Sequence, residues 1–275
     1  MTSVLLTGVP RSGTTLCCHL LNRFTNTVAL HEPIKPDTFA NNRAQATQNI
    51  TTFCTDARSE ILTAGTITTK QIGGELPTNP VNADTVALRK EKVTLGRVKI
   101  DTPLTKDFKL VVKHNALFTA LLEDLVKVFD VYAVIRNPLH LLISWQTVDL
   151  PVNKGRVPMG ERFDPVLNAS LNQEESVLER QLMLIQWFFK RYDQFLANAR
   201  IVRYEDVIAS SGGCLHVIAN SSVKDPLHLS PQTQIGRTSS EKLTALRNLL
   251  LSNPNVAEPY YSAAEIESEY RRLKQ

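Results

Sequence analysis

The chain has no apolar run approaching the roughly 20 residues that a membrane helix needs. No charged and then apolar leader precedes its first strand-like segment, Val4-Leu5-Leu6. A membrane span and a secretory signal are therefore not expected. Cysteine is scarce: Cys17, Cys18, Cys54 and Cys214 have no metal-ligand spacing, and the adjacent pair would be strained as a mutual disulfide. The expectation is reduced thiols, a cytoplasmic setting and no metal centre. Internal repeats and low-complexity tracts are absent as well. Excess charge is small, a net +4, which suits an anionic ligand in a cleft but gives no argument for nucleic acid.

What is present is an ordinary globular composition, 43% hydrophobic and 21% charged over 275 residues. That is enough for a sizeable core in one large α/β domain or two small ones. Short apolar strands are expected at residues 3–7, 28–30, 110–112, 131–135 and 199–204. Between and after them, helical spacing appears at 15–24, 116–127, 174–198, 239–251 and from 263. Strands that are apolar throughout, alternating with helices, point to a parallel sheet covered on both faces. The expected fold is therefore an α/β three-layer sandwich, one domain over 1–275, opening with a P-loop-like strand–loop–helix. Residues 36–108 differ, being rich in Thr, Asn and Gln with Gly73-Gly74 and several prolines. They read as an irregular insertion with short helices that covers a site.

Gly8-Val9-Pro10-Arg11-Ser12-Gly13-Thr14-Thr15 follows the first strand. Its glycines let successive backbone N–H groups converge, and the helix that follows adds positive partial charge, so the loop suits a phosphate. A Walker A loop would carry lysine after the second glycine, to reach the β- and γ-phosphates. Thr14 stands there instead, and the basic residue is Arg11. That departure weakens an ATPase or kinase reading.

Pro10 to Thr15 resembles the 5′-phosphosulfate loop of the sulfotransferases that use 3′-phosphoadenosine 5′-phosphosulfate. Arg136 after the strongest strand, with Ser144 eight residues on, resembles that family's 3′-phosphate motif. Tyr204-Glu205-Asp206 resembles a segment whose role there is structural. Gln234-Ile235-Gly236-Arg237 is similar to its late glycine-basic loop, although the family commonly has a basic residue before the glycine. The matches span residues 4–237. They imply this nucleotide as co-substrate, held by Arg11, Ser12, Gly13, Thr14, Thr15, Arg136, Ser144, Gly236 and Arg237, and no metal. The acceptor would bear a hydroxyl, on a carbohydrate or a small molecule.

Transfer to a hydroxyl needs an aligned acceptor, a base and positive charge on the leaving oxygen. Arg11 suits the last role, with Lys113 at a strand tip as helper. Two bases compete. Glu32 in His31-Glu32-Pro33 resembles a segment of the bacterial and carbohydrate sulfotransferases, in some of which the glutamate is the base. His114 in Lys113-His114-Asn115 resembles the Lys-Thr-His segment of the small-molecule branch, with one residue missing. Two other readings compete: a nucleotide kinase or NTPase with a degenerate loop, and a non-catalytic nucleotide-binding protein. The oligomeric state is open.

Overall fold

The structure is a computed structural model that describes residues 3–35, 39, 42–83, 86–223, 227–231 and 235–275. Among them the strands are β1 (Ser3–Gly8), β2 (Thr27–His31), β3 (Thr66–Gln71), β4 (Thr94–Lys99), β5 (Lys109–Lys113), β6 (Asp130–Ile135) and β7 (Ile201–Arg203). Five of them pair in the order β2-β5-β1-β6-β7, and every pairing is parallel.

Successive side chains of a strand leave on opposite faces, and here both faces are apolar. Leu5, Val28, Leu30, Val112 and Val131 enter a large core. Val4, Leu6, Ala29, Val111 and Val134 enter a smaller one on the other side. The expected α/β sandwich with a central parallel sheet is what forms. Helix α1 (Thr14–Leu21) covers the smaller face with Cys17, Cys18, Leu20 and Leu21. All four cysteines are free thiols.

The insertion departs from its expected form. Residues 36–108 contain the longest helix, α2 (Arg43–Ala64), of 22 residues. Asn42 caps its start by accepting from the Gln45 N–H, and Gly65, at φ 63°, ends it in the left-handed conformation. Its buried stripe is Ala46, Ile50, Cys54, Ala57 and Ile61, on helical spacing but made partly of small residues among threonines. That low contrast hides the period. After α2, β3 and β4 pair as an antiparallel ribbon. Thr69 pins the ribbon to β2: its Oγ1 accepts from the His31 N–H at 2.9 Å and donates to the His31 carbonyl at 3.0 Å.

Other boundaries shift too. The helix expected at 116–127 breaks at Leu121 into α3 (Ala116–Ala120) and α4 (Leu122–Leu125). Then come α5 (Pro138–Trp145), α6 (Pro158–Phe163), α7 (Pro165–Gln173) and α8 (Val177–Phe195). Glu174 ends α7 rather than opening α8. Tyr204 leaves the sheet to start α9 (Tyr204–Ala209), followed by α10 (His216–Ala219), α11 (Ser240–Ser252) and α12 (Ala263–Lys274).

Because the main sheet is parallel, the segments after β1, β2, β5 and β6 all emerge at one edge. The chain leaves central β1 toward β2 on one side and later crosses to β6 on the other. Ligands of open α/β sheets bind at such a reversal.

Candidate active site

The loop after β1 is held in shape by glycines with no room for a side chain. A Cβ on Gly8 would lie 2.5 Å from Thr14 Cγ2 and 2.6 Å from the Val134 carbonyl oxygen. One on Gly13 would lie 2.4 Å from the Tyr204 ring, and Gly13 sits at φ 94°. Arg11, between them, is left-handed at φ 73°. That conformation costs a residue with a Cβ roughly 1 to 2 kcal/mol. Ser12 faces inward: its N–H donates to Val9 and its hydroxyl to the Val134 carbonyl at 2.8 Å. It braces the loop, whereas Arg11, Gly13, Thr14 and Thr15 line a cleft of about 1180 Å³.

Beside the loop, arginines crowd around one serine. Arg11 Nε donates to Ser144 Oγ at 3.3 Å, and a terminal nitrogen of Arg89 donates to the same oxygen at 3.4 Å. Ser144 sits one turn inside α5, in its second turn. Arg89 is buried and also donates to Thr147 Oγ1 at 2.7 Å, and its Nε has no hydrogen-bond partner among the described residues. Arg136 lies over the Tyr204 ring, 4.1 Å from its centroid. Glu205 accepts from the Asn137 N–H at 3.0 Å and from the Tyr261 hydroxyl at 2.8 Å, which fixes the Arg136 turn. Burial lowers Arg11, and the charges of Arg89 and Arg136 lower it further. Arg89 is lowered by burial, then by Arg237 and Arg136. A guanidinium keeps its proton regardless, so the crowding is a standing electrostatic cost that an anion would relieve.

Gly236 and Arg237 form a short 3-10 turn, and Arg237 donates to the Ala87 carbonyl at 2.5 Å. A Cβ on Gly236 would meet nothing within 4 Å. Gln234 lies outside the described residues.

At the far end of the loop, Thr15 Oγ1 lies 3.4 Å from His31 Nε2, which brings the tip of β2 alongside. Glu32 follows, at φ 46°. Its Oε1 is 2.7 Å from Lys113 Nζ and its Oε2 is 2.8 Å from Lys70 Nζ. Lys70 also reaches Glu91 Oε1 at 2.6 Å. Burial alone would raise the Glu32 carboxyl, but Lys113 and then Lys70 outweigh it and hold it well below the usual range. Burial, then Lys113, pushes His31 down to about 2, and burial pushes His114 down to about 3. His114 Nε2 accepts from the Ile34 N–H at 3.2 Å, so that nitrogen carries no proton. The structure thus places Glu32, Lys113, His114, Arg11 and Arg136 on one cleft. Asp130, at the opposite end of β6, is engaged by Arg200 at 2.7 Å.

Sequence reasoning missed Arg89, Asn79, Lys70 and Glu91, all on the ribbon or its connection. Asn79 Oδ1 accepts from Arg11 at 3.2 Å. Among the described residues, no group of three or more His, Cys, Asp or Glu is arranged to hold a metal ion.

No family model and no curated protein matches this chain. Among solved structures, it is similar to the sulfotransferase STF1 from Mycobacterium tuberculosis H37Rv over 99% of its own length and 75% of that chain. Identity is 11% and the TM-score 0.31. A likeness that weak carries no argument about chemistry, which rests on the residues of the cleft.

Proposed function

We propose that the protein is a sulfotransferase that moves a sulfuryl group from 3′-phosphoadenosine 5′-phosphosulfate to an acceptor hydroxyl. The observation that carries this is Ser144 Oγ receiving N–H groups from both Arg11 and Arg89, beside a glycine-bounded loop and a Glu32–Lys113 pair. A bis-anionic nucleotide fits a cleft where guanidinium groups crowd with no carboxylate, among the described residues, to neutralise Arg11 and Arg89. It also fits a loop whose glycines leave no room for side chains.

The donor supplies an activated sulfur whose bridging oxygen departs with the phosphate. Arg11, Thr14 and Thr15 bind that phosphate and offset its growing charge. Arg136 and Ser144 hold the second phosphate and so fix the sulfur in line with the acceptor. As the new S–O bond forms and the S–O bond to phosphate breaks, the acceptor hydroxyl becomes strongly acidic. A weak base then suffices for its proton. Glu32 is kept ionised by Lys113 and Lys70 and accepts it, leaving adenosine 3′,5′-bisphosphate and the sulfate ester. His114 is the second candidate base, and its unprotonated Nε2 is already committed to the Ile34 N–H. No metal takes part in this scheme.

Titration calorimetry with adenosine 3′,5′-bisphosphate, against ATP with magnesium, tests the reading. Tighter binding of the bisphosphate is expected, and preference for ATP overturns it.

A further inference from the structure

We infer that Glu91 is a positioning residue of the transfer step: it shares Lys70 with Glu32 and so sets how readily Glu32 takes the acceptor's proton. That role rests on the sulfotransferase reading. Glu91, Lys70, Glu32 and Lys113 line the cleft and alternate in charge. The contacts along this chain are 2.6, 2.8 and 2.7 Å, in that order. Each oxygen of Glu32 therefore meets its own ammonium group, and one of those groups is divided with a second carboxylate.

Backbone contacts fix every member of the chain. The Glu32 N–H donates to the Lys113 carbonyl at 2.9 Å, at the end of the β2–β5 pairing. Lys70 follows Thr69, whose hydroxyl is bonded to both backbone groups of His31. Glu91 faces Val81 in an antiparallel bridge. On either side of that bridge the Lys92 N–H donates to the Pro80 carbonyl at 2.8 Å, and the Asn82 N–H to the Lys90 carbonyl at 3.0 Å. The ribbon and its connection thus deliver Lys70 and Glu91 to the base in a set geometry.

A carboxylate held by two ammonium groups is a poor base, because the proton it takes arrives beside two positive charges. Burial alone would lower the Lys70 ammonium, but Glu32 and then Glu91 hold it above its ordinary value. Lys70 therefore stays charged, and Glu91 draws part of that charge away from Glu32. As it stands, the chain sets two carboxylates against two ammonium groups. Once Glu32 carries the acceptor's proton, a net positive charge remains, and Glu91 still pairs Lys70 when Glu32 no longer can. Glu91 thus favours the protonated form of the base over the ionised one. The other titratable groups around Glu32 are His31 beside it on β2, His114 after β5 and the Cys18 thiol of α1. Burial keeps both histidines neutral and the thiol protonated, so the two lysines and Glu91 set the charge that Glu32 feels.

Two measurements test this. Carbon-detected NMR follows the titration of the Glu32 carboxyl, its signal assigned by its loss in Glu32→Gln. Turnover of radiolabelled donor is followed with whichever of 2-naphthol, cyclohexanol, glucosamine and lactose reacts fastest. Lys70→Met leaves Glu32 one ammonium partner, so its titration and the acid limb of kcat should both rise by about one to three pH units. Glu91→Gln leaves Lys70 wholly to Glu32. It should lower kcat about two- to fivefold, the worth of a part-exposed ion pair, with KM and bisphosphate affinity unchanged. Added to Lys70→Met, it should lower kcat much less, because its partner is gone. Equal losses in the two backgrounds, or a loss of bisphosphate affinity in place of kcat, overturn the role of Glu91. A Glu32 titration unmoved by Lys70→Met overturns the charge chain, whatever the reaction. Failure to bind the bisphosphate or to turn over any acceptor sinks the sulfotransferase reading instead, and the NMR titration still decides the chain.

Discussion

Arg11 and Arg89 donate to the same atom, Ser144 Oγ, at 3.3 and 3.4 Å. A hydroxyl oxygen has two lone pairs and one proton. With both lone pairs taken by cationic donors, the proton must point elsewhere, so Ser144 can act on a ligand only as a donor. Phosphate oxygens, which accept, suit that role.

The first prediction concerns this cluster. Ser144→Ala should weaken adenosine 3′,5′-bisphosphate binding by roughly 10- to 100-fold, the worth of one charge-assisted hydrogen bond. Arg89→Met should weaken it too, and less than additively with Ser144→Ala, because it acts partly through that hydroxyl. A double-mutant cycle by calorimetry checks this, and strict additivity would remove Arg89 from the site.

Glu32→Gln should lower kcat by about 10²- to 10⁴-fold, the usual worth of a general base, with bisphosphate affinity preserved. It should also lower Tm, since Lys113, only 2% exposed, loses its buried counter-charge. Adding Lys113→Met should recover part of the Tm and none of the kcat. Assays well below Tm separate the two effects. His114→Ala abolishing turnover while Glu32→Gln retained it would reverse the assignment of the base.

With His31 near 2, His114 near 3 and Glu32 well below its ordinary 4.5, none of these candidates titrates between about pH 5 and about pH 8. The kcat profile should be flat over that window. The stability sign follows from the depressed carboxyl. Its ion pairs contribute fully above pH 4.5, and that contribution is lost as pH falls through the folded-state value. An acid limb in kcat near pH 6 to 7, of the kind an unperturbed histidine gives, would contradict Glu32 as the base.

Gly13→Ala places a methyl group 2.4 Å from the Tyr204 ring at φ 94°. It should cost roughly 1 to 3 kcal/mol of stability and abolish tight bisphosphate binding. Gly236→Ala meets open space and should leave both nearly unchanged. Thermal melts and calorimetry on the pair check the contrast. A damaging Gly236→Ala would mean that the 3-10 turn packs on bound nucleotide.

The central sheet was legible because its strands are short, apolar throughout and stopped by Gly8, Pro33 and Pro138, so burial on both faces is written into composition alone. The nucleotide loop was legible because its shape depends on glycines at fixed spacing. Arg89, Lys70 and Glu91 were not. They come to the site through the ribbon and its connection, and no local pattern marks a residue whose partners lie 21 to 58 positions away. Helix α2 escaped for another reason: alanine, cysteine and threonine on its inner face blur the boundary between stripe and solvent side. Ser12 and Ser144 show the limit of motifs, since one turns its hydroxyl into the fold and the other toward the arginines.

Helix α2 and the ribbon bury Ile50, Cys54, Ile61, Ile67 and Val98 in the same large core as Leu5, Val112 and Val131. The segment that supplies Lys70, Asn79, Arg89 and Glu91 is therefore not a detachable module. Excising residues 43–99 would expose one face of the parallel sheet to water, so loss of these four side chains and loss of the fold cannot be separated by trimming. Any transplant of this cleft onto another scaffold has to carry the helix and the ribbon with it.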